Sequence, residues 1–226
     1  MILREKLLRT FQHADSQFPS GAFAFSQGLE ALSQQQERLG SFDLWNFLYA
    51  QIVHRWATSE RIAIIRAYRF NNDLEALAEL DAEVEASTIS EPLRIGSRRN
   101  GMGLLTAHER IGTRYAKTYR GMVRDGKARG HVAVAQGLLW SSLEIDEEDA
   151  VLMSGYQSAA SLTTAAIRLG LVGAIDAQSY LARIIPVIAK ASDSPVSRNE
   201  PLRAFIPLSE IAISLHGTTG QRLFSN

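Results

Sequence analysis

Residues 146–173 read DEEDAVLMSGYQSAASLTTAAIRLGLVG. Asp146 stands at a helix N-cap position, and Glu147, Glu148 and Asp149 fill the first turn, where carboxylates complement the helix dipole. Val151, Gly155, Ala159, Leu162, Ala166 and Leu169 then recur at 4-4-3-4-3 spacing, which lines one face of a helix. Several of these side chains are small, so another helix can approach closely. The segment is therefore expected to be a central helix of the fold. Gly170 and Gly173 mark its end.

The same periodicity extends in both directions. Asp176 opens a following helix through Leu181, Ile184, Ile185 and Ile188, in which Pro186 should introduce a kink or end the regular bonding early. Upstream, Val132–Leu143 follows Gly130. A long helix is expected from Glu91 to about Tyr119, with Pro92 in its first turn, where a missing N–H costs little. Asp73 begins a short acidic helix through Leu74, Leu77 and Leu80. Ser41 is the expected N-cap of a segment carrying Phe42, Trp45, Phe47, Leu48, Ile52 and Trp56, continuing through Ile62, Ile65 and Tyr68. The first residues, MILREKLLRTFQH, carry charges within their apolar periodicity and read as an amphipathic helix rather than a leader segment. No run alternates with period two between hairpin turns. The fold class expected is all-α, a single-domain helical bundle over residues 1–226. Ser192–Pro207 holds three prolines and many polar residues, so it reads as an extended linker or flexible loop. A short helix, Leu208–Leu215, and the tail 217–226 follow it.

Composition removes several function classes. Lysine plus arginine and aspartate plus glutamate both number 24, so no global field draws the chain toward nucleic acid or anionic membrane. Cysteine is absent, which excludes disulfides, thiolate nucleophiles and Cys-based metal sites. No window reaches the roughly 18–20 apolar residues that a bilayer span needs. A soluble, cytoplasmic protein is expected.

Candidate chemistry is sparse. The histidines His13, His54, His108, His131 and His216 form no pair at the i, i+4 spacing of a helical zinc site. The glycines of GSRRNGMG (96–103) lack the Lys-Ser/Thr ending of a phosphate loop and sit within a helical pattern. They read as close packing points or a local kink. His108-Glu109 reads as an exposed polar face, and His216 as a helix-ending imidazole favoured by the dipole. Arg94, Arg98, Arg99, Arg110, Arg114 and Lys117 form either a solvated face or a basic contact surface. They lack the interleaved aromatics of a single-strand nucleic-acid groove. Arg168 ends the central helix, where it either compensates the dipole or contacts a partner. The apolar Leu223 and Phe224 beside Arg222, at the extreme C-terminus, point to a docked end. By contrast, DSQFPSGAFAFSQGLE (15–30) sets two turn elements, Pro19-Ser20-Gly21 and Ser26-Gln27-Gly28, around Phe23 and Phe25. Such ingredients fix backbone shape and present apolar groups, which suits contact with a partner rather than bond-breaking chemistry.

These stretches resemble the UreF family of urease accessory proteins. The residues that carry the resemblance are DSQFPSGAFAFSQGLEAL, LRIGSRRNGMGLL, GHVAVAQGLLW, SAASLTTAAIRLGLVGAIDAQSYLARIIPVI and PLSEIAISLHGTTGQRLF, in the family's order and covering nearly the whole chain. The resemblance implies an all-α homodimer with no catalytic site and no cofactor of its own. It implies a protein that binds the accessory protein UreD (UreH in some organisms) and recruits the GTPase UreG. Nickel and GTP are then carried by partners, and nickel is delivered to apo-urease. Carried over by position, the partner-binding residues are Pro19, Ser20, Gly21, Phe23, Ser26, Gly28 and Glu30 of the first motif, Arg168, Gln178, His216, and Arg222, Leu223 and Phe224 of a partner-docking tail (217–226). Two departures stand out: Leu171-Val172-Gly173 replaces a proline-leucine-glycine turn, and Gly217 rather than glutamate follows His216. The competing classes are a helical enzyme using His108 or His216, which requires a pocket with a polarised histidine, and a nucleic-acid binder built on Arg94–Lys117, which requires steeply salt-dependent binding.

Overall fold

The computed structural model describes residues 3–15, 17–19, 26–34 and 43–216. Among them the elements are α1 (Leu3–Ala14), α2 (Leu29–Gln34), α3 (Leu44–Gln51), a π-helix (Ile52–Glu60), α4 (Arg61–Phe70), α5 (Leu74–Ser87), α6 (Glu91–Arg110), α7 (Ala116–Arg124), α8 (Val132–Ser142), α9 (Glu147–Arg168), α10 (Ala174–Ser192) and α11 (Pro207–His216). No strand occurs among the described residues. The all-α expectation therefore holds.

The centre of the bundle is the packing of α4 on α8 and of α9 on α10, with α9 also touching α1, α2, α4 and the π-helix. Small residues make this possible. A Cβ on Gly155 of α9 would fall 2.6 Å from Ile188 Cγ2 and 2.7 Å from the Trp56 ring, so the gap holds an α-carbon and nothing larger. Gly137 of α8 does the same against α4, where a Cβ would lie 2.5 Å from the Ile64 carbonyl oxygen. Trp56, fully enclosed, hands its indole N–H to Ser154 Oγ at 3.0 Å, so its burial leaves no orphaned donor. Val151, Gly155, Ala159, Leu162 and Ala166 are all buried, as their spacing predicts.

Helix limits follow local chemistry. Asp73 caps α5 through Ala76 N at 3.1 Å, as expected. Asp146 stands before α9, yet its carboxylate pairs with Lys6 of α1 at 2.6 Å rather than capping. The N-cap before α3 is Asp43, which accepts from Trp45 N at 3.0 Å; Ser41, the cap expected from sequence, lies outside the described residues. The helix expected over Glu91–Tyr119 stops instead at Arg110. Gly112 takes φ +78°, while Gly112 N and Thr113 N turn back to the carbonyls of Glu109 and His108, a Schellman ending that separates α6 from α7. Pro186 does not end α10, which runs on to Ser192.

The stretch read as a linker or flexible loop joins α10 to α11 without helix or strand, with one turn in which Glu200 N donates to Ser197 O at 3.2 Å, and it is docked at several points. Val196, Leu202 and Ile206 are buried. Three arginines of α4 hold its carbonyls: Arg61 to Ser194 (2.7 Å), Arg66 to Glu200 (3.2 Å) and Arg69 to Val196 (2.7 Å). Its own amides at Arg203 and Phe205 donate to Thr58 O and His54 O of the π-helix, at 2.9 and 2.8 Å. The strap thereby delivers α11 to the end of the bundle where α2 lies.

Candidate partner-docking face

The first motif leads into α2 through a tight turn. Ser26 is buried; its carbonyl accepts from Leu29 N at 3.0 Å and its hydroxyl from Glu30 N at 3.4 Å. Gln27 and Gly28 then both take positive φ, +51° and +92°. At Gly28 the demand is double. The left-handed backbone favours glycine, and a Cβ there would lie 3.1 Å from Ile213 Cδ1 and 3.3 Å from Ser209 Cβ. The glycine of the motif is thus the point where the N-terminal turn meets α11.

Polar groups fasten the same junction. Gln51, buried at the end of α3, donates from Nε2 to Ser209 Oγ at 3.0 Å and to the Gln27 carbonyl at 3.5 Å. Arg55, in the π-helix, donates to Gln27 Oε1 at 2.9 Å and pairs with Glu60 at 2.8 Å. A π-helix widens the turn and marks sites where ordinary helix geometry has been given up, frequently functional ones. Here it presents Arg55 to the motif turn on one side and the carbonyls of His54 and Thr58 to the strap on the other.

Beneath this junction lies a second apolar core, separate from that around α4, α8 and α9. It gathers Leu29, Ala31 and Leu32 of α2, Leu44, Phe47 and Leu48 of α3, Leu93 at the start of α6, Leu162, Ala165 and Ala166 at the end of α9, and Ile206, Ala212 and Ile213. Leu171, Val172 and Tyr180 pack on its edge. Motif, end of the central helix and last helix, distant in sequence, therefore share one cluster. Glu30 is wholly buried there, whereas Arg168 and Gln178 are exposed at the end of α9 and the beginning of α10. Pro19 lies apart from the cluster, on a groove with Phe18, Met102 and Thr106. A surface groove of 390 Å³ is lined by Leu171, Val172, Asp176, Ser179, Tyr180 and Arg183, and Gln178 is not part of it. Ser20, Gly21, Phe23, Phe25, Arg222, Leu223, Phe224 and the side chain of His216 lie outside the described residues.

The elements that build this cluster also expose apolar side chains: Ile175 is 83% exposed, Phe205 74%, Leu208 60% and Ile211 49%. None of these four stood out from sequence, nor did Gln51, Arg55 and Ser209. Leu208 and Ile211 were legible in principle, since with Ala212 and Ile213 buried the segment 207–216 has apolar residues on more of its circumference than one buried face requires.

The histidines take other roles. His108, read as exposed, is fully buried, and its ring stacks on His13 at 5.0 Å with Phe18 against both. Burial lowers the pKa of His13 to about 4, with the charge of Arg9 adding to the effect, and that of His108 to about 3, with His13 adding. The pair clamps α1 to α6. His131, at the start of α8, bridges Ser97 Oγ (3.0 Å) and Glu85 (2.6 Å), and burial depresses its pKa despite the carboxylates nearby. This has the connectivity of a serine–histidine–acid relay. However, Ser97 Oγ also accepts Val132 N at 3.3 Å, and Arg98 holds Glu85 at 3.0 Å. The set joins α5, α6 and α8 as a latch. Beside it Asp81 is enclosed and accepts the amides of Arg129, Gly130 and His131 and the hydroxyl of Tyr119. Among the described residues no group of three or more His, Asp or Glu is placed to hold a metal ion. Nor is any helix long and apolar enough to cross a membrane.

Comparison with known proteins gives the same assignment as the motifs. The family model named UreF matches residues 41–185. The chain is 31% identical to the urease accessory protein UreF of Trichodesmium erythraeum (strain IMS101), over 97% of this chain and 96% of that one. It is 30% identical to the urease accessory protein UreF of Bacillus sp. (strain TB-90), over 97% and 98%. With the urease accessory protein UreF 1 of Brucella melitensis biotype 1 it shares 29% identity over 97% and 92%. An all-α chain whose first motif is locked onto its last helix, and which matches these proteins from end to end, belongs to the UreF family.

Proposed function

We propose that this protein is an adaptor in urease maturation: it binds UreD/UreH, recruits the GTPase UreG, and takes part in delivering nickel to apo-urease without a catalytic site or cofactor of its own. Nickel and GTP in this reading are cargo and fuel held by the partners, the chain acts as a homodimer, and its place is the cytoplasm. The observation that carries the reading is the shared cluster under α2, the end of α9 and α11, whose elements also expose Ile175, Phe205, Leu208 and Ile211. Exposed apolar groups gathered over one end of a molecule are a common mark of a protein-binding surface. In this reading the motif, Arg168, Gln178 and the tail residues Arg222, Leu223 and Phe224 act together in partner binding.

The test is co-purification of the chain with UreD/UreH and UreG, followed by size exclusion with light scattering. A stable complex holding two copies of this chain is the expected result. The double substitution Leu208→Glu, Ile211→Glu should abolish it while the helical circular dichroism is unchanged. A monomer that ignores both partners would overturn the reading.

A further inference from the structure

The charge of this chain is balanced overall but divided in space. Residues 110–129 hold seven cations (Arg110, Arg114, Lys117, Arg120, Arg124, Lys127 and Arg129) and a single carboxylate, Asp125. The remaining 206 residues therefore carry 17 cations against 23 carboxylates. Of the three arginines grouped with this region by sequence but lying earlier on α6, Arg94 and Arg98 belong elsewhere, because both are ion-paired with Glu85 and Glu91, while Arg99 is exposed. Arg120 is likewise occupied by Glu109 at 2.9 Å. The other six, Arg110, Arg114, Lys117, Arg124, Lys127 and Arg129, are exposed, and their side chains form no ion pair among the described residues. By contrast, α4 anchors all three of its arginines on carbonyls of the strap.

Shape adds to charge. Lys117, Gly121 and Arg124 fall at i, i+4 and i+7 of α7 and so share a face. A Cβ on Gly121 would meet no atom within 4 Å, so the face has a notch between two cations. The rise from Lys117 to Arg124 is about 10 Å, roughly the span of three residues of extended chain. We infer that α7 and its flanking turns form a docking surface for an acidic, extended segment of a protein partner, with carboxylates on Lys117 and Arg124 and the backbone passing over Gly121. This surface is distinct from the apolar end described above and does not depend on the reading of that end.

Nucleic acid fits the face less well. Tyr119 is buried, and the Tyr115 ring is covered by the Arg114 guanidinium at 4.6 Å, so no open aromatic awaits a base. A polyanion longer than the patch would also meet the acidic remainder of the molecule, whereas a short acidic segment touches only α7.

The experiment is fluorescence anisotropy of a labelled, Glu-rich ten-residue peptide with the full chain at low and at near-physiological salt. Binding should be salt-dependent, and Arg114→Gln, Lys117→Gln, Arg124→Gln together should weaken it by roughly tenfold or more. The same neutralisation at Lys190, Arg198 and Arg203, exposed cations elsewhere, should leave it near the unaltered value. Gly121→Gln, which fills the notch without changing charge, should weaken binding at constant net charge. The proposal is overturned if the unaltered chain does not bind at low salt, if the two triple variants lose affinity equally, or if a short DNA duplex of the same charge competes more strongly than the peptide.

Discussion

His13 and His108 show how burial converts an ordinary side chain into a pH-dependent term. Both are neutral in the fold because the stacked rings are shielded from water, with the charge of Arg9 acting on His13 and Thr113 Oγ1 2.9 Å from His108 Nδ1. Their folded values, about 4 and about 3, lie below the ordinary 6.5. The unfolded chain therefore takes up protons that the folded one refuses. Their contribution is complete above pH 6.5 and is lost as pH falls from there through about 4 and then 3, a loss on the order of a few kcal/mol. Thermal melts from pH 7 to 4.5 should fall steeply, and His108→Phe should flatten the slope; an unchanged slope would show that the ring is not enclosed. Ser97 offers a second check at this scale. As part of a latch it should not react with a fluorophosphonate probe, and Ser97→Ala should lower stability by about 1 kcal/mol, the usual worth of a hydrogen bond. Covalent labelling at Ser97 would instead revive the enzyme reading. At Gly155 the added side chain of Gly155→Leu would enter Trp56 and Ile188. A cost of about 1–3 kcal/mol is expected, seen as a melting point lower by roughly 2–4 °C per kcal/mol.

Among the elements, the strap 193–206 departs most from its sequence reading. Prolines and polar residues describe how a segment behaves alone. They do not report Arg61, Arg66 and Arg69 waiting on another helix to receive its carbonyls. Trypsin should therefore cut slowly after Arg203, since the amides of Arg203 and Phe205 are bonded to the π-helix. The pair Arg61→Ala, Arg69→Ala should accelerate the cut. Equal rates in both proteins would return the segment to the status of a free linker. The early end of α6 has a similar origin, since Gly112 and Thr113 exchange helical bonds for a Schellman pair that hydrophobic periodicity does not register. The course of α10 through Pro186 runs the other way: Ala177, Leu181, Ile184 and Ile188 are buried along it, and that burial keeps the helix whole past a residue that breaks isolated helices.

For the whole molecule, the two ends differ in physical character. One gathers motif, α9 terminus and last helix over a common core with apolar groups exposed; the other, at α7, is cationic and notched. If the tail is the recruiting element, Arg222→Ala should reduce UreG retention on the complex while UreD/UreH binding and the melting point stay constant. Retention equal to that of the unaltered chain would remove Arg222 from that role.

What the sequence determined by itself is what depends on near neighbours. Periodicity in residues 151–169, the carboxylate-rich start at 146–149 and the glycine at 170 place and terminate the central helix with no help from the rest of the chain. The motif blocks identify the family in the same way, because they are local strings. Tertiary structure alone decided which of these strings meet. Gly28 is required by Ile213 and Ser209, and Gln51 is held by Ser209, partners that lie more than 150 residues away. His108 reads as polar surface beside Glu109, yet α1 covers it with His13 and Phe18. Of the basic cluster, Arg94 and Arg98 are neutralised by Glu85 and Glu91 while the residues around α7 stay open. Charge pairing, burial and long-range contact are properties of distance in space, and a sequence fixes such distances only through the fold.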